Sequence, residues 1–478
     1  MFSFNVSERN KNARVNLQWL NKRPFTEMEY YPATLKERYG EEKDGWINKL
    51  YYGDNLQVMS HLLKEYRGKV NLIYIDPPFN SNADYKSKVY LHGIDDTYNS
   101  YYEEKQYGDV WEDNDYLQFM YERLILCREL LSDTGSIYVH LDEKKVHYIK
   151  VILDDVFRSG VFCREIVWDI RVLSGYKTIA ANWVRGHDIL LFYSKSQEKN
   201  FNKIKQQHKK EYLDLFNKVD SNGKSYFKNR GSIVYLDDAI EKGKAVGDVW
   251  SDIMSFQQLA TSSEKIGYPT QKPEALLERI IKASSNPGDL VFDCFMGSGT
   301  TQSVSMKLGR KFLGADINLG SIQTTTKRLI SRAKELNNIS DSETGITYYT
   351  GFEVYHVNEC KEDNILNTNT SFNIFRDQLS VEIKIENENN QKLLKIVDFK
   401  SSYLLSKFEL DTNFDFRSFI DSVYIDWNYE DDIFRCCLSD ITRNKKQVIE
   451  GVYEIPEYAS TICVKIIDIS GNTITKQL

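Results

Sequence analysis

Ile75-Asp76-Pro77-Pro78-Phe79-Asn80 closes a short apolar run, Val70 to Ile75, that reads as a buried strand. Two consecutive prolines cannot continue a strand and they stiffen the backbone, so the chain forms a rigid lip at the strand's carboxyl end. A carboxylate stands before the prolines and an aromatic ring after them. Such a lip can accept hydrogen bonds from an exocyclic amine while the ring stacks on the base that carries it. By itself Asp-Pro-Pro is also an ordinary turn, so the reading depends on what surrounds it.

With 478 residues, the chain is long enough for two or three domains with their own cores. A hydrophobic content of 41% and a charged content of 27% fit an ordinary globular protein. The formal net charge is −7, so a nucleic-acid surface would have to be local. Seven scattered cysteines without a CxxC pair read as reduced thiols, with neither a disulfide frame nor a metal site. No apolar stretch approaches the roughly 20 residues of a membrane helix and the N-terminus lacks a signal-peptide core, so a cytoplasmic protein without membrane contact is expected.

Upstream of the lip, residues 1–47 are polar and aromatic without clear period and read as an arm wrapping the first domain. Asn48 to Tyr52 reads as a strand, followed by Gly53-Asp54-Asn55 and a helix to Leu63. Asp54 can face a ligand, cap that helix, or do both. Downstream, residues 80–113 show neither period and read as a substrate loop or lid. Leu117, Met120, Leu124, Cys127 and Leu131 mark an amphipathic helix over 116–131, and Ser136 to Leu141 marks a buried strand. His140 and Asp142 at its end could be structural or a catalytic pair. A helix over 144–157 and a strand over 165–168 come next.

From residue 169 to 250 the α/β alternation is lost. Lys195, Lys203, Lys205, Lys209, Lys224, Lys228 and Arg230 gather there among Tyr212, Phe216, Tyr226 and Phe227. Cations interleaved with rings suit phosphate contact with some stacking, and equally suit a solvated insertion.

The chain then regains order. Tyr268-Pro269-Thr270-Gln271-Lys272-Pro273 turns into a helix whose Leu276, Leu277, Ile280 and Ile281 form a buried face. Leu290 to Asp293 is a strand running into Cys294-Phe295-Met296-Gly297-Ser298-Gly299-Thr300-Thr301 and another helix. Strand, glycine-rich loop and helix are the parts of a nucleotide-cofactor site in a doubly wound sheet. No lysine follows the last glycine, which excludes a Walker loop. Phe312 to Asp316 is the next strand, ending on an acid placed where such folds hold ribose hydroxyls. Residues 339–478 alternate short strands with Asn-rich turns and read as a β-rich appendage whose role the sequence does not reveal.

Taken together, Gly53-Asp54-Asn55, Asp76 to Asn80, Gly135 to Asp142, Tyr268 to Leu277, Asp293 to Thr301 and Gly314 to Asp316 occur in an order that resembles the β-class amino-methyltransferases of DNA. The resemblance covers about residues 48–335, and Trp19-Leu-Asn-Lys-Arg23 brings it nearest to the modification subunits of type III restriction systems. It implies an α/β Rossmann-like methyltransferase sheet with helices on both faces, an inserted target-recognition region and a C-terminal β-rich domain. The expected division is an arm over 1–47, a catalytic half over 48–168, target recognition over 169–250, a cofactor half over 251–338 and the β-rich domain over 339–478.

The resemblance also implies the activity: transfer of a methyl group from S-adenosylmethionine to N6 of an adenine flipped out of duplex DNA. Cytosine N4 is the alternative base, and a protein-glutamine methyltransferase or an inactive DNA-binding subunit are more distant ones. Asp76, Pro77, Pro78 and Phe79 would form the catalytic lip, with Asn80 beside the DNA. Phe79 stands where the family usually has Tyr, keeping the ring and losing a hydroxyl. The cofactor would be held by Asp54, Asp76, Thr270, Gln271, Lys272, Asp293, Phe295, Gly297, Gly299, Thr300 and Asp316, although Phe295 and Met296 also suit a core. Double-stranded DNA is the implied partner; a second copy of the chain and a restriction subunit are partners the family brings without a signature in this sequence.

Overall fold

The computed structural model describes residues 1–3, 17–78, 83–94, 101–109, 113–157, 161–170, 181–259, 261–339, 344–357, 379–408, 414–442 and 444–478. Phe79 and Asn80 lie outside the described residues, as does part of the expected target-recognition region.

Labelled in chain order, the elements that build the site are β1 (Ala33–Tyr39), β2 (Asn48–Tyr52), α1 (Asn55–Tyr66), β3 (Val70–Ile75), β4 (Ala83–Tyr90), β5 (Tyr101–Asp109), α2 (Asp113–Leu130), β6 (Leu131–Leu141), α3 (Val146–Phe157), β7 (Phe162–Asp169) and β8 (His187–Ser194). They continue as β9 (Val249–Trp250), α4 (Glu274–Ser284), β10 (Leu290–Asp293), α5 (Thr300–Lys307), β11 (Lys311–Asp316), α6 (Leu319–Leu336), β12 (Phe352–Val357) and β13 (Phe434–Cys436).

Eleven strands form one sheet in the order β9-β7-β8-β6-β3-β10-β11-β2-β12-β1-β13. From β6 to β12 all neighbours are parallel, and β8 runs against both β6 and β7. The apolar run of β3 explains its central place, because a parallel strand covered on both faces needs large side chains both ways. Ile73 and Ile75 face one layer, packing with Val58 and Leu62 of α1, Met120 and Leu124 of α2 and Ile149 of α3. Leu72 and Tyr74 face the other, against Leu276, Leu277, Ile280 and Ile281 of α4. Burying each such aliphatic side chain contributes roughly 1.5–3 kcal/mol. Helices therefore cover both faces, the doubly wound α/β architecture.

The structure corrects the sequence reading in four places. The expected arm contributes β1 to the sheet, and Trp19 packs edge-on against Tyr121 of α2 with ring centroids 5.8 Å apart. Residues expected as a loop form a long antiparallel hairpin, β4–β5, paired from Ala83↔Asp109 to Tyr90↔Tyr101. Strand β8 lies inside the stretch assigned to target recognition but is a central-sheet strand, and Ile189 to Tyr193 is the apolar run that marks it. Strands β12 and β13, assigned to the C-terminal region, extend the same sheet. The rest of that region is β-rich: a three-stranded sheet holding Leu379–Glu388 and Gln391–Ser401, and a four-stranded one built on Ile420–Asp426 and Cys463–Asp468. No helix among the described residues is long and apolar enough to cross a membrane.

Candidate active site

Adjacent parallel strands end at the same edge, so β3, β10 and β11 bring Asp76, Asp293 and Asp316 side by side. Asp76 follows β3 directly. Its Oδ2 accepts a hydrogen bond from Lys272 Nζ, the ion pair joining two side chains that are 15% and 14% exposed. Its Oδ1 is buried and has no hydrogen-bond partner among the described residues. A buried carboxylate oxygen left open among the described residues is costly. Pro77 is buried beside it and Pro78 half-buried, fixing the lip.

Asp293 is buried at the end of β10. Its Oδ1 accepts from the backbone N–H of Phe295 (2.9 Å) and its Oδ2 from the Thr301 hydroxyl (2.6 Å). Burial, with the charges of Asp76 and Asp316 added, pushes its pKa up to about 7 despite those two bonds. The unfolded carboxyl ionises near 4, so between about pH 4 and 7 the folded protein holds a proton that the unfolded chain has lost, and stability falls as pH rises through that window. Asp293→Asn is therefore expected to flatten the decline of the melting temperature between pH 5 and 7, a slope of up to about 1.4 kcal/mol per pH unit. Equal slopes in both proteins would contradict this origin.

Asp316 ties the glycine loop to the sheet. Its Oδ2 accepts from Gly297 N (2.9 Å) and its Oδ1 from Asn318 N (2.8 Å). Burial raises its pKa, and those backbone donors partly offset the rise. Gly297 and Gly299 have φ of +50° and +69°, a region favourable only to glycine. At Gly297 a Cβ would sit 3.3 Å from the Tyr268 ring, and at Gly299 one would sit 2.5 Å from Thr325 of α6. The Thr300 hydroxyl donates to the Lys272 carbonyl (3.2 Å), joining the Tyr268–Pro273 turn to the loop. Thr270 lies on the same turn, half-buried.

Asp54 serves as helix cap and more. Its Oδ1 accepts from Leu56 N (2.9 Å), while Arg123 of α2 donates to its Oδ2 (3.0 Å). The Arg123 guanidinium lies 3.5 Å over the Phe119 ring, and Phe119 meets Phe295 at 6.0 Å, so Phe295 belongs to a half-buried wall leading from Asp54 to the glycine loop.

Two sequence expectations fail on geometry. Gln271 is turned into its own loop, its amide donating to Glu264 O (2.8 Å) and accepting from Ile266 N (3.0 Å), so it braces the turn and presents neither polar end to a cofactor. Lys195 follows β8, which runs opposite to β3, and so lies at the far edge of the sheet from Asp76. Its ammonium bonds the Leu131 carbonyl (2.5 Å) beside Asp133, and it is no DNA contact at the lip. Lys203, Lys205, Lys209, Lys224, Lys228 and Arg230 are exposed, on a segment that leaves from that far edge, where Asn202 bonds the end of α4. His140 and Asp142 do not pair. Asp142 closes the turn that leads into α3, accepting from Lys144 and Lys145 N (both 3.1 Å). His140 is buried between the Tyr74 hydroxyl (2.9 Å) and Asp188 (3.3 Å). Burial alone would raise the Asp188 carboxyl, but His140, Arg185 and Lys272 together hold it well below the usual range.

Sequence reasoning missed Arg123 and Arg328, and it quoted Tyr268 within a motif without giving it a role of its own. Arg328 of α6 donates to Thr300 Oγ1 (2.8 Å) and Glu274 (3.0 Å), stapling the loop helix to α4. Arg123 had a signal: it stands on the apolar face of α2, between Met120 and Cys127, where a cation demands a buried partner.

A doubly wound sheet with a parallel centre and reversed strands β8, β1 and β13 toward its edges, a glycine loop after β10 and acids at three neighbouring strand ends defines a class, the α/β proteins that hold a nucleotide-like cofactor at the carboxyl edge. The sequence profile of the N6/N4 DNA methylases matches residues 70–327, more than half of the chain, and the protein belongs to that family. It is 33% identical over 257 residues to the type II methyltransferase M1.MboII of Moraxella bovis, covering 52% of this chain and 85% of that one. It is 27% identical over 318 residues to the DNA adenine methyltransferase YhdJ of Escherichia coli, covering 64% and 91%. Identity to the probable type III HindVI Mod subunit of Haemophilus influenzae is 25% over 437 residues, covering 67% of this chain and 55% of that subunit. The protein is a DNA methyltransferase, and its methyl donor is S-adenosylmethionine.

Proposed function

We propose that the protein methylates N6 of an adenine flipped out of duplex DNA. The observation that carries this is Asp76, with one oxygen fixed by Lys272 and the other buried, open and unpartnered among the described residues. The residues also fit the cofactor: the loop that would cradle it has no room for a Cβ at Gly299, and acids flank it at the ends of β10 and β11. Phe295, Gly297, Gly299 and Thr300 would hold its methionine end, with Thr270 and Lys272 nearby. Asp316 has lone pairs left for ribose hydroxyls, Asp54 with Arg123 would border the adenine end, and Asp293 supports the loop from below. Bound there, S-adenosylmethionine supplies an electrophilic methyl group.

The chain's own part is to make a poor nucleophile adequate. An adenine amine is flat because its lone pair is shared with the ring. Asp76 Oδ1 and the Pro77 carbonyl would accept its two hydrogens, drawing the nitrogen toward tetrahedral geometry and freeing the pair for direct attack. After transfer Asp76 Oδ1 is the acceptor within reach of the surplus proton. A base in a duplex cannot reach such a lip, hence the flip, with Phe79 stacking on the extruded ring. The leading Asp of the lip favours adenine over cytosine, as does likeness to a relative named for adenine.

The β-class order of motifs, the Trp19 to Arg23 segment and likeness to a Mod subunit support a role as the modification subunit of a restriction system, acting as a homodimer or with a restriction subunit. Lys203, Lys205, Lys209, Lys224, Lys228 and Arg230 would then contact the backbone of the bound duplex, away from the flipped base. Modification sequencing of plasmid DNA from a methylation-free host expressing this chain is expected to show one short motif bearing N6-methyladenine. N4-methylcytosine would replace the base assignment.

A further inference from the structure

The hairpin β4–β5 begins five residues after Pro78, and its outer end is embedded in the C-terminal β-rich region. Leu91 is 4% exposed within that region's core, among Phe419, Ile420 and Ile449, with Ile94 and Tyr102 packed against the same cluster. Tyr102 meets Tyr403 and Phe408 edge-on at 6.1 and 5.5 Å. His92 N donates to Ser418 O (3.1 Å), and Gly93 N to Lys445 O (2.8 Å). Gly93 has φ +72°, and a Cβ there would meet Val448 Cγ1 at 2.6 Å. The sequence from 83 to 109 carries six acids and three lysines, a balance unsuited to gripping phosphates.

The same short segment holds the other half of the site. Three residues beyond Ser418, Asp421 accepts from Lys327 Nζ of α6 (2.6 and 2.7 Å), and Gln323 of α6 donates to Gly471 O (2.8 Å). The opposite flank of α6 holds the glycine loop: Thr325 donates to Gly297 O (3.2 Å), and Arg328 engages Thr300. A packed path thus runs from the hairpin, which follows the lip by five residues in the chain, through Ser418–Asp421 and α6 to the cofactor loop.

We propose that the C-terminal region is a positioning element for methyl transfer: by gripping the β4–β5 hairpin and α6 together, it fixes the lip against the cofactor loop. This rests on the reading of Asp76 as the amine acceptor. Positioning of this kind matters because a displacement of about 1 Å can cost about a hundredfold in rate.

The test uses the full chain and the variants Leu91→Asp, Gly93→Ala and Gly93→Ala/Val448→Ala. Hydrogen exchange in Leu91→Asp is expected to speed up across 83–109 and across the lip at 70–78, with the cofactor loop at 293–301 unchanged. The single-turnover rate on plasmid DNA from a methylation-free host, at saturating S-adenosylmethionine, is expected to fall at least about tenfold while affinity for the cofactor stays within about twofold. Val448→Ala should return much of the rate lost in Gly93→Ala by making room for the methyl group. Exchange confined to the hairpin, a wild-type rate with the dock loosened, or cofactor affinity lost in parallel would each overturn the proposal. An inactive wild-type chain would count against the adenine reading, and the exchange experiment would still decide the dock.

Discussion

Asp76→Ala is expected to stop methyl transfer while the protein still binds S-adenosylmethionine. The variant loses the open acceptor Oδ1 that would polarise the target amine, and removal of one such preorganised group typically lowers the chemical rate by about 10²–10³. It also removes one partner of the Asp76–Lys272 ion pair, whose side chains are only 15% and 14% exposed, and breaking a buried pair destabilises. Alanine should therefore melt earlier as well as fail in catalysis. Asp76→Asn separates the two effects. Its amide oxygen can still accept from Lys272, so stability should stay near wild type, but its amide nitrogen then faces the amine as a donor and turnover should remain low. Single-turnover assays, calorimetric titration with the cofactor and thermal melts on the three proteins resolve this. A wild-type rate in either variant would remove Asp76 from the chemistry.

Gly299→Val should have the second-largest effect, and it should fall on the cofactor. The residue sits at φ +69°, where a side chain costs about 1–2 kcal/mol, and its Cβ would lie 2.5 Å from both Cγ2 and Oγ1 of Thr325. Overpacking of that kind adds about 1–3 kcal/mol. The loop can relieve the clash only by leaving α6, which carries Gly297, Phe295 and Thr300 away from their places. Affinity for S-adenosylmethionine is expected to drop at least about tenfold, equivalent to about 1.4 kcal/mol. In the milder pair Gly299→Ala and Gly299→Ala/Thr325→Ala, the second change should recover part of the loss. Wild-type affinity in Gly299→Val would show that the loop does not approach the cofactor.

The central strands were legible because apolar runs bounded by turns and acids carry their own boundaries: β3, β10 and β11 with Asp76, Asp293 and Asp316 are set by local sequence. What failed had its cause elsewhere in the chain. Nothing within residues 83–109 announces a hairpin, since Leu91 is buried, and Tyr102 half-buried, by residues more than 300 positions later. Lys195 was misjudged because composition shows where cations gather but not which edge of a sheet they reach, and the reversal of β8 decides that. Gln271 sits in a motif that points to a ligand, yet its amide closes the turn that carries the motif. Arg328 and Tyr268 gain their roles only when α6 folds back over the glycine loop.

The middle of the sheet joins distant parts of the chain. Leu72 and Ile73 pair with Val291 and Phe292, more than 200 residues further on. At about 5–20 residues per second, a ribosome leaves the edge of β3 uncovered for roughly ten to forty seconds before its partner strand emerges. An apolar parallel strand waiting that long, beside an α1–α2 layer that has nothing yet to close against, is a hazard for association with other nascent chains. The yield of active protein in a producing cell should therefore follow chaperone supply and the pace of translation more closely than the stability of the finished fold.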